Sequence, residues 1–299
     1  MKVGPFDSDK VTEGNCVELI PQLPDESVDV IVTSPPYWGQ RLTYGTGTEV
    51  DPRSYLEFLK SVFLAVLPKL KWNGIAWINL GDAYNTPVNW RFDDRVYSSL
   101  GPDKNGLGEN NSAYIKPRAK RRAFVERSVN WLTYGNLLAL PYRLVIDLCE
   151  MGYLFRGEIV WRKKNPMPEG KCRRPHRQHE CIYLLAKNER HYFQTTPPIK
   201  SVWEFPNEKI EGVPHYSRFP EELPKRCIRA YAKHGPDVLV LDPFSGSGTT
   251  GIAAKKLLCS YIGFEIDPDQ AAASNARLRQ IEEQGWLFRS AKMHASQKG

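Results

Sequence analysis

Val28–Trp38, VDVIVTSPPYW, and Val238–Thr250, VLVLDPFSGSGTT, are the two stretches on which the fold of this chain turns. Each is a β-rich apolar run, too short for a helix, that halts in a turn built from proline or glycine. Open α/β sheets place their ligands at such points, beyond the carboxyl ends of their strands. One turn is polar and stiffened by proline. The other suits a nucleotide-like ligand. Two such strand ends in one chain point to group transfer rather than to a plain binding module.

Outward from these stretches the periodicity alternates. Val28–Thr33 reads as a buried strand, Ser54 to Leu70 as an amphipathic helix and Gly74 to Leu80 as a second buried strand, an alternation that predicts a mostly parallel sheet. From 81 to about 130 the pattern dissolves into Asn, Gly, Ser, Asp and basic residues, too long for a simple connection. Helical spacing returns over Leu137 to Met151. Arg156 to Trp161 and Cys181 to Leu185 read as strands joined by a basic loop. Glu221 to Lys233 reads as a helix leading into the strand Val238 to Leu241, and Gly251 to Leu258 as the helix after the glycine turn. Tyr261 to Phe264 is a strand ending at Glu265, followed by a last helix over about Pro268 to Gln284 and a polar, frayed tail. No internal repeat is visible.

The 299 residues suffice for one large α/β domain or two smaller ones. No apolar run approaches membrane length and the N-terminus lacks the apolar core of a secretory signal, so a cytoplasmic protein without membrane attachment is expected. The six cysteines contain no CxxC pair and read as reduced thiols. Cys172, His176, His179 and Cys181 crowd together, but their spacing matches no usual zinc pattern and Arg173, Arg174 and Arg177 would repel a cation, so no metal is expected. A net charge of +7 favours a polyanionic partner. The basic residues concentrate in two loop-like runs, Lys116 to Arg122 (KPRAKRR) and Arg162 to Arg177.

In the glycine turn, Gly246 and Gly248 let the backbone bend tightly and approach a ligand at the start of a helix. The next strand delivers Glu265, placed like the acid that holds ribose hydroxyls in nucleotide-binding βαβ units. The turn is neither a Walker A sequence nor a full GxGxxG. Asp242 beside it would repel a pyrophosphate and suits a cationic ligand, so S-adenosylmethionine (SAM) fits better than NAD. At the other turn, two prolines remove backbone donors. Pro35 presents a carbonyl and Ser34 a hydroxyl, both able to accept from an exocyclic amine. Tyr37, with Trp38 beside it, offers an aromatic face for an extruded base.

TSPPYW together with DPFSGSGTT resembles the amino-methylating DNA methyltransferases, with the order of motifs seen in their β-class. Leu140-Pro-Tyr-Arg, EIVWRKKNPMP from Glu158, RPHRQHE ending at Glu180, Ser201-Val-Trp203 and FPEEL from Phe219 are similar to segments of the same group, so the likeness covers nearly the whole chain. The resemblance implies a Rossmann-like SAM-dependent methyltransferase fold, one catalytic domain over 1–299, and DNA-recognition insertions at 81–130 and 163–212. It implies a catalytic motif of Ser34, Pro35, Pro36 and Tyr37, and a SAM site of Asp242, Phe244, Ser245, Gly246, Gly248, Thr249 and Glu265, flanked by Phe219 and Pro220. Asn15 joins that site, an amide where similar proteins often have Asp. Lys116, Arg118, Lys120, Arg121, Arg122, Arg173, Arg174 and Arg177 are the expected DNA contacts, and Trp90 and Tyr114 are candidates for stacking on bases. Trp131 is expected in the core.

In this group SPP(Y/F) is associated with the N4 amine of cytosine, so the expected reaction is methyl transfer to cytosine N4 in a flipped base of duplex DNA. No cysteine lies in the proline motif, which argues against covalent attack on the cytosine ring. The alternatives are transfer to adenine N6, a DNA-binding protein with a degenerate site, and methylation of a protein or RNA amine. SAM binding and a panel of nucleic acids discriminate among them. A cognate restriction endonuclease and a homodimer are the further partners the resemblance brings into view.

Overall fold

Strands and helices alternate along the chain, and the computed structural model describes them over residues 2–39, 47–86, 88–91, 122–125, 129, 131–166, 172–206 and 219–281. In chain order the strands are β1 (Lys2–Val3), β2 (Phe6–Asp7), β3 (Lys10–Glu13), β4 (Val28–Thr33), β5 (Leu70–Leu80), β6 (Val88–Arg91), β7 (Arg122–Val125), β8 (Leu154–Lys163), β9 (His179–Ala186), β10 (Val202–Phe205), β11 (Leu239–Asp242) and β12 (Ser260–Glu265). The helices are α1 (Cys16–Leu19), α2 (Pro52–Val66), α3 (Leu140–Glu150), α4 (Glu222–Ala230) and α5 (Thr249–Lys256), with one more over 268–281.

Among the described residues, one sheet has the order β10-β8-β9-β5-β4-β11-β12-β3. Only β9 runs against its neighbours, antiparallel to both β8 and β5, and every other pair is parallel. β4, β11 and β12 are buried at every position, because helices cover both faces, which is why they read as unbroken apolar runs. Ile31, Ile78, Leu241 and Ile262 pack with Leu59 and Phe63 of α2 and Leu144 and Leu148 of α3. Val30, Val32, Trp77 and Val240 pack with Cys227 of α4, Ile252 of α5 and Leu278 of the last helix. This is the expected mostly parallel α/β architecture.

The order also fixes where a ligand can enter. From β4 the chain crosses by α2 to β5 on one side, and from β11 it crosses by α5 to β12 on the other. The crossovers diverge, so the carboxyl ends of β4 and β11 face a crevice at a topological switch point. Both motifs sit there.

Element bounds differ from the sequence reading where caps and pairing decide them. α2 begins at Pro52, not Ser54, because Asp51 caps it by accepting from Arg53 N and proline suits the first turn. β5 starts at Leu70, four residues before Gly74, with a register shift that lets Val28 pair Leu70. β10 and the N-terminal strands are too short to carry a period and were not anticipated. Within 163–212, residues 179–186 form β9, inside the sheet and a little longer than the expected strand Cys181 to Leu185, and 202–205 form its edge strand. Within 81–130, β6 and β7 pair antiparallel. No helix among the described residues is long and apolar enough to cross a membrane. No group of His, Cys, Asp or Glu among them is arranged to hold a metal ion. All six cysteines are free; Cys16, Cys227 and Cys259 are buried, whereas Cys149 and Cys172 are exposed.

Candidate active site

The glycine turn after β11 is fixed from both sides. Gly246 has φ +52° and Gly248 φ +75°, a region that favours glycine, and Gly248 caps α5. Gly246 N–H donates to Glu265 Oε2 at 2.7 Å, so the acid at the end of β12 holds the turn. The last helix grips it from the other side, with Ser274 Oγ donating to the Gly246 carbonyl at 2.6 Å and Arg277 donating to that of Ser247. A Cβ at Gly246 would meet nothing nearer than the Phe244 carbonyl at 4.0 Å, so the outer side of this backbone is open to a ligand. Gly251 works differently: a Cβ there would stand 2.7 Å from Cδ1 of Tyr261, so this glycine lets α5 lie close on β12.

Asp242 is 1% exposed. Its Oδ1 accepts from Thr33 Oγ1 at 2.6 Å and from Phe244 N at 3.1 Å, and its Oδ2 from Thr250 Oγ1 at 2.7 Å. Burial, with a smaller push from the Glu265 charge, outweighs these bonds and raises its carboxyl to about 6. Two carboxylates that repel one another beside an open glycine turn fit a ligand carrying positive charge and hydroxyls. Glu265 Oε1 accepts from Asp267 N at 3.1 Å, so both of its oxygens hold backbone at this turn.

The expected SAM residues do not all present side chains to this turn. The Ser245 hydroxyl is buried against the Tyr261 hydroxyl at 2.8 Å, so what Ser245 presents at the turn is its backbone. Phe244 packs edge-on against Phe58 of α2, and Thr249, also buried, opens α5. Asn15 caps α1 by accepting from Val17 N, and the preceding Gly14 N–H donates to the Glu265 carbonyl at the end of β12. Phe219 and Pro220 lead into α4, where Leu223 N donates to the Pro220 carbonyl. Cys16 lies close enough to feel the Glu265 and Asp242 charges. Burial first, then those charges, push its thiol up to about 12, which leaves it inert as a nucleophile.

The proline turn stands next door. Thr33, the residue before Ser34, makes the bond to Asp242, so the two motifs meet although 209 positions separate them. Pro35 is buried, and the Pro36 carbonyl is tied to the Tyr55 hydroxyl at 2.9 Å. Tyr37 donates toward Glu180 Oε2 at 2.9 Å and Asn79 Oδ1 at 3.0 Å, while Ser34 Oγ donates to Asn79 Oδ1 over a long 3.4 Å. Burial, and after it the Glu180 charge, hold the Tyr37 phenol well above its usual range, so it stays protonated. Trp38 is a correction: it is buried and donates to the Glu49 carbonyl at 2.9 Å, so it offers no face for stacking.

Of the basic candidates, Lys116, Arg118, Lys120 and Arg121 lie outside the described residues, as does Tyr114. Arg122 is described only as the first residue of β7, and Trp90 only within β6. Arg173 is exposed. Arg174 lies over the Tyr84 ring at 4.2 Å, and Arg177 donates to the Asp82 carbonyl at 2.6 Å, so both fasten 172–178 to the turn after β5. Trp131 packs on the core between Arg53 and Arg143.

Asn79, Gly81, Asn85 and Glu180 were not anticipated as site residues. The visible signals were Asn79 and Gly81 interrupting an otherwise apolar strand, AWINLG, and Glu180 closing the family-like segment RPHRQHE.

A doubly covered, mostly parallel sheet with a glycine turn and a proline turn at its switch point defines the SAM-dependent methyltransferase class of fold. Solved members of that class superpose on it. The cytosine-N4-specific PvuII DNA methyltransferase matches with a TM-score of 0.64 at 19% identity, covering 95% of this chain and 96% of that one. The M1.HpyAVI–SAM complex matches with a TM-score of 0.55 at 20% identity, covering 90% and 98%. In sequence, the type II methyltransferase M.Cfr9I of Citrobacter freundii is 33% identical over 282 residues, 89% of this chain and 86% of that protein. M.SmaI of Serratia marcescens is 31% identical over 292 residues, 90% of each. The family model for N6/N4 DNA methylase matches residues 28–276. The chain belongs to the DNA methylase family.

Proposed function

We propose that this protein methylates the N4 amine of cytosine in duplex DNA, taking the flipped base at Ser34-Pro35-Pro36-Tyr37 and SAM at the turn between Asp242 and Glu265. The observation that carries the reading is the Thr33–Asp242 hydrogen bond of 2.6 Å, which makes the two turns neighbours at one crevice. When bound, SAM supplies an electrophilic methyl group. The chain's own residues do the rest by placement and electrostatics. Ser34 Oγ and the Pro35 carbonyl accept the two amine N–H groups and so turn the nitrogen lone pair away from themselves. Tyr37, held by Glu180 and Asn79, gives the base a fixed aromatic neighbour. Glu265 takes the ribose hydroxyls, and the Asp242 charge favours the cationic end of the cofactor.

Support for cytosine is Ser34 at the first position of the motif, together with the cytosine-N4-specific enzyme among the solved neighbours. The DNA is met by the insertion that carries the paired strands β6 and β7 and by the basic segment around Arg173, with a restriction endonuclease of the same site as a partner in keeping with the type II relatives. Incubation with methyl-labelled SAM and mixed-sequence duplex DNA, followed by mass spectrometry of the nucleosides, tests the reading. Labelled N4-methylcytosine is expected. Labelled N6-methyladenine would keep the two sites and overturn the base assignment, and no label in DNA would overturn the function.

A further inference from the structure

We infer that Glu180, paired with Lys163, is a positioning residue that sets the direction of the hydrogen bonds behind the reacting turn, so that Ser34 meets its substrate as an acceptor. This rests on the proposed role of the Ser34 turn and says how its polarity is imposed.

Two groups beside Asn79 can only accept: the Glu180 carboxylate and the Cys181 backbone carbonyl. The Asn79 atom facing both, at 3.3 and 3.2 Å, is therefore the amide nitrogen. With the nitrogen committed there, Oδ1 is presented on the other side, 3.0 Å from the Tyr37 hydroxyl and 3.4 Å from that of Ser34. Each hydroxyl has one hydrogen. Ser34 spends its hydrogen inward on Asn79, and Tyr37 spends its own inward on Asn79 and Glu180. What Ser34 offers outward is lone pairs, the polarity an amine needs. The long Ser34–Asn79 contact is of the kind that tightens when substrate fills a site.

Lys163 anchors the carboxylate at the head of this chain of directions. Its Nζ pairs with Glu180 Oε1, and both side chains are largely withdrawn from solvent. A donor in place of the Glu180 carboxylate would face the Asn79 nitrogen and favour the amide turned over. Its nitrogen would then face Ser34 and compete with the incoming amine. Lys163 and Glu180 stand on the adjacent strands β8 and β9, so the sheet itself brings them to Asn79 at the end of β5.

The test is Glu180→Gln, which keeps size and the contact with Lys163 but presents an amide nitrogen toward Asn79. A fall in kcat of about 10- to 100-fold is expected, with KM for DNA, Kd for SAM and Tm nearly unchanged. Adding Ser34→Ala to that variant should cost little more, because the serine is already misdirected. A kcat within twofold of the wild type, or losses that multiply independently, would overturn the inference. Should Glu180→Gln fail to fold, Lys163→Met serves: with the partner of Glu180 removed, kcat should fall about tenfold while Kd for SAM is nearly unchanged, and a kcat within twofold of the wild type would refute the role. A wild-type protein that methylates no DNA would sink the functional reading instead.

Discussion

Gly81 and Tyr37 are packed so closely that a Cβ added at Gly81 would stand 2.6 Å from Cδ2 of the tyrosine ring and nearer still to Cε2. The ring is seated on the end of β5 by the absence of a side chain there, and its hydroxyl is fastened beyond by Glu180. Gly81→Ala must displace the ring, at a cost of about 1–3 kcal/mol in stability for overpacking. Turnover should fall at least tenfold while SAM affinity is kept, since the glycine turn does not touch Gly81. Single-turnover assays beside calorimetry check this, and normal turnover would show that the ring's seat is irrelevant.

The two turns should separate in mutants. Tyr37→Ala removes the aromatic neighbour of the base and leaves Gly246 and Glu265 intact, so kcat should drop by two orders of magnitude or so with Kd for SAM within about threefold. Glu265→Ala strips the acceptor from Gly246 N–H and the acid from the ribose position. It should weaken SAM binding by about 10- to 100-fold. Calorimetry showing the reverse pattern would exchange the two assignments.

Asp242 makes stability depend on pH in a direction opposite to most carboxylates. Its carboxyl, raised to about 6 from an ordinary 3.8, binds a proton more tightly in the folded chain than in the unfolded one. The stability this gives is complete below about pH 3.8 and is lost as pH rises through about 6. Two units or so correspond to roughly 3 kcal/mol. Asp242→Asn stays neutral throughout, so relative to the wild type it should gain by about 2–3 kcal/mol between pH 4 and pH 7. Urea unfolding of both proteins across that range measures it, and a constant difference would mean that Asp242 does not titrate there.

The basic segment before β9 divides into two kinds of arginine. Arg173 is exposed, so Arg173→Ala should weaken DNA binding for all sequences alike and reduce the salt slope by about 1. Arg177 holds the Asp82 carbonyl and stands three residues before Glu180. Arg177→Ala should therefore lower kcat as well as affinity. Equal effects of the two substitutions, read from titrations at several salt concentrations and from turnover, would erase the distinction.

The strands that carry the site were readable because covered parallel strands are apolar throughout, and β4, β11 and β12 stop at proline, glycine and acid in plain view. The second layer was not. Glu180 enters the site only because β9 inserts antiparallel between β5 and β8, and no local pattern states which strands become neighbours. Asp242 and Ser245 were legible as members of a loop, but not their direction, since Thr33, Thr250 and Tyr261, which claim their oxygens, come from other elements. The reading of 81–130 as patternless missed the β6–β7 pair because four-residue strands leave no period to detect.

Asn85, 1% exposed, ties that insertion to the site. Its side-chain nitrogen donates to the carbonyls of Val129 and Leu132 at 3.1 and 2.7 Å, and its oxygen accepts from Val129 N at 2.9 Å. Its backbone adds bonds to Asn136 and Gly135, so the outgoing and returning ends of the insertion are pinned together beside Gly81 and Asp82. Asn85→Ala leaves three buried backbone groups without this partner, at a cost of about 1–3 kcal/mol. It should also let the insertion move relative to Tyr37. If the insertion reads DNA, the variant will bind SAM normally but methylate cognate and non-cognate sites with a ratio reduced by about tenfold or more, each 1.4 kcal/mol of lost discrimination being one factor of ten. Competition between the two DNAs in a single reaction measures that ratio. An unchanged ratio in a destabilised protein would confine Asn85 to holding the fold and move sequence recognition elsewhere.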